Sequence, residues 1–350
     1  MREKSACAAL KRTPDAYGGA APASDHLPIA RRSARANDHA AKTLLFEVPK
    51  NQWESEMCER RRRSYEFLIF AILIVVLSSN LSMPAHAAEN SQSGTFVELP
   101  GVKLWFTDSG GAGAPLVMLH SNTGTSVIWE NQVKSFSSGG YRVITFDRRG
   151  WGKSIANSAT GPQPGSIAGD LDALADHLKL KRFHLLGVAG GGFAALDYAA
   201  WHPEKLRSLV IGASTGQVSD KAIADVIARI EIPELRKQPA VYREVGPSYR
   251  GINPEGTKRW SEIDENSRQP RAVDQPLRTP NTLAKIASIS APTLIIAADA
   301  DLLAPPAMMR IWAAHVKNHE WTVIPDTGHA VAWEQPDIFN KKVLEFVKRH

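Results

Sequence analysis

The turn centred on Ala189 bears most directly on chemistry. An apolar run of strand length, Phe183–Val188, leads through this turn into residues with helical spacing that start at Gly190. Gly187 and Gly191 lie two residues before and two after Ala189, which is the spacing that a sharp strand-to-helix turn needs for close backbone approach. A serine at the centre would offer its hydroxyl as a nucleophile, whereas a methyl group neither attacks nor ionises. The turn therefore has the shape for nucleophilic catalysis without the nucleophile.

Strands and helices alternate on both sides of this turn. A hairpin is predicted first, from Thr95–Leu99 and Val102–Thr107 around Pro100 and Gly101. Buried strands are then predicted at Leu116–Leu119, Tyr141–Phe146, Phe183–Val188, Leu206–Ile211, Leu294–Ala297 and Trp321–Ile324. Helical patterns lie between them, starting at about Ser126, at Ile167–Leu178, at Gly190–Trp201, after Pro306 and at Pro336–Lys348. This alternation predicts an α/β fold with a mostly parallel, doubly wound sheet.

The alternation stops after Ser214. Residues 216–290 carry helical patterns, many charges and several prolines before the next strand. We predict that this segment is a helical cap inserted into the sheet domain.

The first part of the chain has a different composition. Arg60–Arg63 precede an 11-residue apolar run, Phe67–Leu77, and the small-residue site Ala85-His86-Ala87 follows it. These three parts are typical of a secretory signal peptide over residues 57–87, and the run is shorter than the roughly 20 apolar residues that cross a membrane. Met57 is then the natural start, with residues 1–56 a non-native or disordered extension. We expect a secreted or periplasmic domain over residues 88–350, with membrane attachment only if the leader is not cleaved.

Charge and cysteine content exclude several classes of function. The whole chain has a net charge of +6, but residues 88–350 hold 29 basic and 27 acidic side chains, a net charge of +2. The basic character of the chain is thus no argument for nucleic-acid binding. Both cysteines, Cys7 and Cys58, precede residue 88, so we expect neither a disulfide nor a catalytic thiolate in the domain.

Five segments in order resemble motifs of the α/β-hydrolase superfamily, of the AB hydrolase-1 type. LVMLHSNTG is similar to its oxyanion loop, FDRRGWGKS to the turn after its fourth strand, and LLGVAGGG to its nucleophile elbow, with Ala189 in place of the serine. DADLLAPP is similar to the turn that bears the acid, and PDTGHAVAWEQP to the loop that bears the histidine. The resemblance extends over residues 95–350 and implies the α/β-hydrolase fold.

The resemblance also implies roles for single residues. His329 corresponds to the catalytic histidine and Asp301 to the acid that orients it, while the N–H groups of Gly190 and Asn122 correspond to the oxyanion donors. An imidazole takes and returns a proton near neutral pH, a carboxylate fixes its tautomer, and N–H groups stabilise a developing oxyanion.

Alternatives to these roles remain open in the sequence. His329 could be an ordinary loop residue, and Asp299 competes with Asp301, although the position of Pro305 and Pro306 favours Asp301. Asn122 could cap the helix that follows it. A structural role, bonding nearby loops, is favoured for His120 over that of a base.

Two residues depart from the family pattern. Ala189 takes the place of the nucleophile, and Ser121 takes the place of the usual glycine. Three readings follow: His329 and Asp301 activate water directly, or the protein is a pseudoenzyme that binds a ligand in the same site, or Ser121 substitutes as nucleophile. The first is our main hypothesis, with a small, uncharged ester- or acyl-type molecule as substrate.

The remaining candidates are cationic. Arg148, Arg149 and Lys153 could form an anion site, but charges in a turn after a strand are usually exposed to water, and this is the reading we favour. Trp151 is a candidate for the mouth of the site. No metal or organic cofactor is expected, because the histidines lack metal-ligand spacing and no glycine-rich phosphate motif follows a strand.

Overall fold

A computed structural model describes residues 93–350 of the chain, which all belong to one compact unit. The predicted extension at residues 1–56 and the signal peptide at residues 57–87 lie outside the described residues. Within residues 93–350, no helix has both the length and the apolar character that crossing a membrane requires.

Within the described residues, nine strands form one sheet. Their bounds are β1 Gly94–Leu99, β2 Val102–Asp108, β3 Pro115–Leu119, β4 Arg142–Phe146, β5 Ile155–Ala156, β6 Phe183–Val188, β7 Leu206–Gly212, β8 Thr293–Ala298 and β9 His319–Ile324. The order across the sheet is β1-β2-β4-β3-β6-β7-β8-β9, with the short β5 paired to β2. All neighbours from β4 to β9 along this order are parallel, and the pairs that involve β2 are antiparallel. The predicted mostly parallel sheet is confirmed.

Twelve α-helices accompany the strands in residues 93–350. They are α1 Glu130–Ser138, α2 Ile167–His177, α3 Gly190–Trp201, α4 Lys221–Ile230, α5 Pro233–Arg236, α6 Ala240–Glu244, α7 Pro247–Ile252, α8 Pro254–Glu265, α9 Leu283–Ala287, α10 Pro306–Ala313, α11 Val331–Glu334 and α12 Pro336–Val347. Residues 216–290, predicted as a cap, contain α4 to α9. The helix expected from Ser126 begins instead as a 3₁₀ turn, Ser126–Trp129, which the side chain of Thr125 caps.

The central strands are buried on both faces of the sheet. Every residue of β6 and β8 is buried, as expected for parallel strands covered by helices on both sides. Leu185 and Ile295 pack in one apolar cluster, and Leu186 and Ile296 in the other. Because successive side chains of a strand point to opposite faces, these alternating apolar residues hold the sheet between its helices.

The carboxyl ends of five parallel strands meet at one edge of the sheet. Asn122 follows β3, Arg148 follows β4, Ala189 follows β6, Asp301 follows β8 and His329 follows β9. Crevices at this edge are where ligands bind in open α/β sheets. The topology therefore brings the candidate residues to one end of the molecule.

Candidate active site

The elbow keeps a sharp backbone turn at Ala189. Its φ of 49° and ψ of −118° place an alanine in a region that L side chains rarely adopt, at a cost on the order of 1–3 kcal/mol. The Ala189 N–H donates to the Gly212 carbonyl at 3.0 Å, and the Ser214 hydroxyl donates to the Ala189 carbonyl at 2.7 Å. These bonds to the end of β7 and the loop after it hold the turn in place.

Close backbone approach explains the flanking glycines. A Cβ at Gly187 would lie 2.5 Å from the Gly191 carbonyl oxygen, and one at Gly191 would lie 2.2 Å from the Leu119 carbonyl oxygen. Both obstacles are backbone atoms, which cannot rotate away. The glycine spacing read from the sequence is therefore a steric requirement of this turn.

His329 and Asp301 lie together. The Nδ1 of His329 donates to Oδ2 of Asp301 at 2.8 Å, and the two side chains are 9% and 0% exposed. The other oxygen, Oδ1, accepts from the N–H groups of Leu303 and Ala304, each at 2.8 Å. The carboxylate is thus fixed at both oxygens and in turn fixes the imidazole, leaving Nε2 as the nitrogen available for proton transfer.

Asp299 makes a different contact. Its Oδ1 lies 3.4 Å from the backbone nitrogen of Thr327. It bonds to the backbone of the loop that carries His329 rather than to the imidazole, so the geometry favours Asp301 as the partner of His329.

The surroundings of His329 favour its protonated form. Burial alone would lower the pKa of the imidazole, but the carboxylates of Asp301, Glu244 and Glu334 outweigh that effect and raise it to about 9. The ring therefore carries a proton at neutral pH and becomes a free base only in alkaline solution.

A small cavity of about 20 Å³ lies between Ala189 and His329. Ser121 and Glu244 also line it, and its remaining walls are mainly apolar, with the aromatic rings of Trp129, Trp260 and Trp333 among them. A volume of this size holds about one water molecule. The cavity is next to the Ala189 methyl group, where a serine at this position would place its hydroxyl.

The backbone N–H groups of Gly190 and Asn122 lie beside this turn. Gly190 is the first residue of α3, and a Cβ placed on it would lie 2.1 Å from Oδ1 of Asn122, so the two residues are in close contact. Neither N–H donates to an acceptor within the part of the chain described by the structure. Asn122 does not cap the following helix, because Thr125 does so.

His120 joins the loop after β3 to the turn after β4. Its Nδ1 donates to the Ser121 carbonyl at 2.7 Å, and its Nε2 accepts from the Arg148 N–H at 3.2 Å. Burial, with the nearby Arg148 charge, lowers the pKa of His120 to about 3, so the ring is neutral. Both nitrogens are occupied by backbone groups, as a structural histidine requires.

Sequence reasoning missed Glu244. Its Oε2 accepts from the Thr123 hydroxyl at 2.6 Å, and the Thr123 oxygen lies 3.2 Å from the Ser121 hydroxyl. Since the Thr123 proton goes to Glu244, the proton between the two hydroxyls belongs to Ser121. Glu244 ends a short helix of the inserted segment and has no sequence motif to mark it, so only the folded chain places its carboxylate in the cavity.

Glu334 was also missed. Its Oε2 accepts from the N–H of Gly246 at 3.0 Å and from that of Gly328 at 2.9 Å. This carboxylate joins the inserted segment to the loop that carries His329.

The arginines of the turn after β4 are not exposed, so the expectation that they are solvated was wrong for two of the three cations. Arg148 is 7% and Arg149 5% exposed, because loops and the inserted segment cover this turn. Arg149 is neutralised by Asp170, with Nη2 and Oδ1 2.7 Å apart, and bonds to the Pro100 and Pro162 carbonyls. Lys153 is exposed, as expected, and lies 4.1 Å from the Trp105 ring.

Trp151 is buried and does not lie at an open entrance to the candidate site. Its Nε1 donates to the Asn122 carbonyl at 2.9 Å, and the Arg148 guanidinium stacks 3.8 Å from its ring. The ring therefore braces the loop that carries Asn122.

Comparison with known families agrees with this geometry. The model of a family described as the alpha/beta hydrolase family matches residues 116–342. The chain belongs to this family. The match covers the strands and loops that carry every candidate residue named above, and the roles of those residues stay predictions.

Relatives and solved structures are consistent with this family and its fold. A 2-hydroxy-6-oxononadienedioate/2-hydroxy-6-oxononatrienedioate hydrolase of Burkholderia vietnamiensis is 28% identical over 270 residues, which is 71% of this chain and 92% of that protein. A thermophilic esterase from Thermogutta terrifontis superposes with a TM-score of 0.61 at 24% identity, over 73% of this chain and 97% of its own. An enol-lactonase from Burkholderia xenovorans gives a TM-score of 0.59 at 20% identity, over 72% and 99%. At these identities the two structures establish the fold alone.

Metal ligands were not expected in this domain. Across residues 93–350, no group of three or more histidine, cysteine, aspartate or glutamate side chains is arranged to hold an ion.

Proposed function

We propose that the chain is a hydrolase of small ester- or acyl-type substrates in which His329 and Asp301 activate a water molecule directly. The observation that carries this proposal is the cavity of about 20 Å³ between Ala189 and His329, with room for one water where a serine hydroxyl would otherwise lie. The family and the 28% identical hydrolase support the reaction class.

The reaction has two steps. Nε2 of His329 takes a proton from the water while the water oxygen bonds to the acyl carbon, and the carbonyl electron pair moves onto its oxygen. The N–H groups of Gly190 and Asn122 stabilise that oxyanion. The tetrahedral intermediate then collapses, the bond to the leaving oxygen breaks, and the imidazolium returns its proton to that oxygen. A carboxylic acid and an alcohol are released.

Asp301 acts through His329. Its carboxylate holds the Nδ1 proton and stabilises the imidazolium formed in the first step. Oxyanion stabilisation and substrate binding alone leave about 10³- to 10⁴-fold catalysis when the nucleophilic triad is lost, and a base acting on water adds to this.

The test is turnover of a panel of short activated esters by the full chain and three variants. We expect the wild type to be active, His329→Ala to lose at least about 100-fold in kcat/KM, and Ser121→Ala to stay within about threefold. An equal loss in Ser121→Ala would identify Ser121 as the nucleophile instead.

Ala189→Ser separates the remaining outcomes. If the wild type shows no turnover and Ala189→Ser is active, the site is intact but the wild type binds its ligand without turnover. The hydrolase proposal is then wrong. Silence in both proteins would contradict the assignment of His329 and Asp301 as well.

A further inference from the structure

A second cavity lies beside Asn122. It has a volume of about 280 Å³ and is lined by Asn122, Gly190, Arg148, Trp151 and Arg268, among others. Asn122 and Gly190, the two candidate oxyanion donors, line this cavity, whereas Ala189 and His329 line the smaller one.

Arg148 is the buried cation of this cavity. The guanidinium donates from Nη1 to Oδ1 of Asn122 at 2.7 Å, while its Nε is buried and has no hydrogen-bond partner. A buried charge without a directly paired carboxylate is costly, and an anion in the cavity beside it would offset that cost.

The other charged groups of the cavity are already paired. Asp197 accepts from the Arg278 N–H and from Lys285. Asp274, three-quarters exposed, pairs with Arg268 at 3.3 Å. Arg148, by contrast, has no directly bonded carboxylate among residues 93–350, and the Asp274 charge acts on it from a longer distance.

The electrostatics of Arg148 agree with an anion as the missing partner. Burial lowers the pKa of its guanidinium to about 9, Asp274 opposes that effect, and Arg268 adds to it. The group still carries its charge at neutral pH, in a place where a positive charge is poorly solvated. The first turn of α3, which begins at Gly190, adds the positive end of a helix dipole to the same wall.

We propose that this second cavity binds a carboxylate of the substrate through Arg148, with Arg268 as a secondary cation. This inference rests on the proposed hydrolase function, because it names the substrate of that reaction as a carboxylate-bearing ester or acyl compound. A carboxylate-bearing substrate replaces the uncharged one that we expected from the sequence. The carboxylate then lies in the same cavity as Asn122 and Gly190, the candidate oxyanion donors.

Direct binding tests the cavity without requiring turnover. Wild type and variants of the full chain are titrated calorimetrically with glutarate, and with the neutral glutaramide as control ligand. The titrations measure how tightly each protein binds each ligand. We expect saturable glutarate binding, weakened at least about 10-fold in Arg148→Gln and less in Arg148→Lys, because a charge-assisted hydrogen bond is lost.

Lys153→Gln is the matched control. It removes a charge from the same turn, but its side chain is exposed and does not line the cavity, so we expect affinity within about twofold of wild type. Equal binding by Arg148→Gln and Lys153→Gln, or glutaramide binding as tight as glutarate, would overturn the proposal. So would an absence of saturable binding to the wild type.

Two further measurements keep the outcome interpretable. If Arg148→Gln fails to fold, Arg268→Gln is used instead, because the Arg268 side chain is half exposed. We expect Arg268→Gln to weaken glutarate binding about threefold, and an unchanged affinity would count against the site.

With active protein, the kcat/KM ratio of the hemiglutarate to the valerate p-nitrophenyl ester is expected to fall about 10-fold in Arg148→Gln. Carboxylate binding without ester turnover would uphold the cavity and reject the proposed hydrolase.

Discussion

The imidazole of His329 is surrounded by acids. Asp301 contacts it directly, and Glu244 and Glu334 add two more negative charges to its field, so its pKa lies at about 9. A general base works in its neutral form, and at pH 7 only about one ring in a hundred is neutral when the pKa is 9. The carboxylates around His329 therefore set the pH above which its imidazole can act as a general base.

The pH profile follows from that pKa. We expect kcat/KM for a neutral activated ester to rise about tenfold per pH unit from pH 7 and to level off near the His329 pKa of about 9. Glu244→Gln removes one negative charge from beside the ring, so its profile should level off at lower pH than that of the wild type. A rate that falls as pH rises towards 9 would mean that the imidazolium acts as an acid, contrary to the proposed mechanism.

At the scale of elements, the strand-to-helix turn between β6 and α3 carries the tightest backbone packing of the site. A Cβ at Gly187 would lie 2.5 Å from a carbonyl oxygen, whereas one at Gly251 in α7 would meet nothing within 4 Å. Two glycines of the same chain thus offer opposite environments for the same added methyl group.

Gly187→Ala is expected to lower the free energy of unfolding by about 2–3 kcal/mol, because the backbone around the methyl group must shift. Gly251→Ala is the control, and we expect it to be neutral or stabilising by up to about 1 kcal/mol, since alanine is the better helix former. Urea unfolding of both variants measures the difference. A Gly187→Ala protein as stable as Gly251→Ala would show that the turn is looser than described.

The elements themselves could be predicted from local patterns. Apolar runs such as Phe183–Val188 and the helical spacing of Gly190–Trp201 give bounds that agree with the structure. The two-residue β5 has too few residues for any pattern, and the 3₁₀ start at Ser126 differs from an α-helix by a hydrogen-bond register that residue types do not encode. Glu244 could not be predicted, because its contact with Thr123 joins residues 121 positions apart.

Burial of Arg148 escaped prediction for a related reason. Arg148 and Arg149 are neighbours of the same type, yet one is neutralised by Asp170 and the other has no carboxylate partner among the described residues. Which arginine finds a partner depends on how α2 and the inserted segment pack over the turn. That packing is a property of the whole fold.

At the scale of the whole molecule, the buried carboxylate of Glu334 is one of the groups that join the inserted segment to the sheet domain. Glu334 accepts from Gly246 in the segment and from Gly328 in the histidine loop. A Cβ at Gly328 would lie 2.5 Å from the Gly246 nitrogen, so the two backbones approach closely where Glu334 bridges them.

Glu334→Ala should therefore destabilise the protein by about 2–4 kcal/mol, since two buried N–H groups lose their acceptor. Glu345→Ala serves as the matched control, because that side chain is 53% exposed and its nearest partner is Lys341 at 4.0 Å, and we expect a change within about 0.5 kcal/mol. Thermal and urea unfolding of the two variants give the comparison. Equal stability in both would refute the bridging role of Glu334.

The methyl group of Ala189 has a consequence for how this protein would be detected. With water as the attacking group, no acyl group is ever attached to the chain, so no acyl-enzyme accumulates and none can be trapped. Organophosphorus reagents that label serine hydrolases have no hydroxyl to modify at the elbow. If the proposed mechanism holds, a survey of hydrolases by such labelling would pass over this protein even while it turns substrate over.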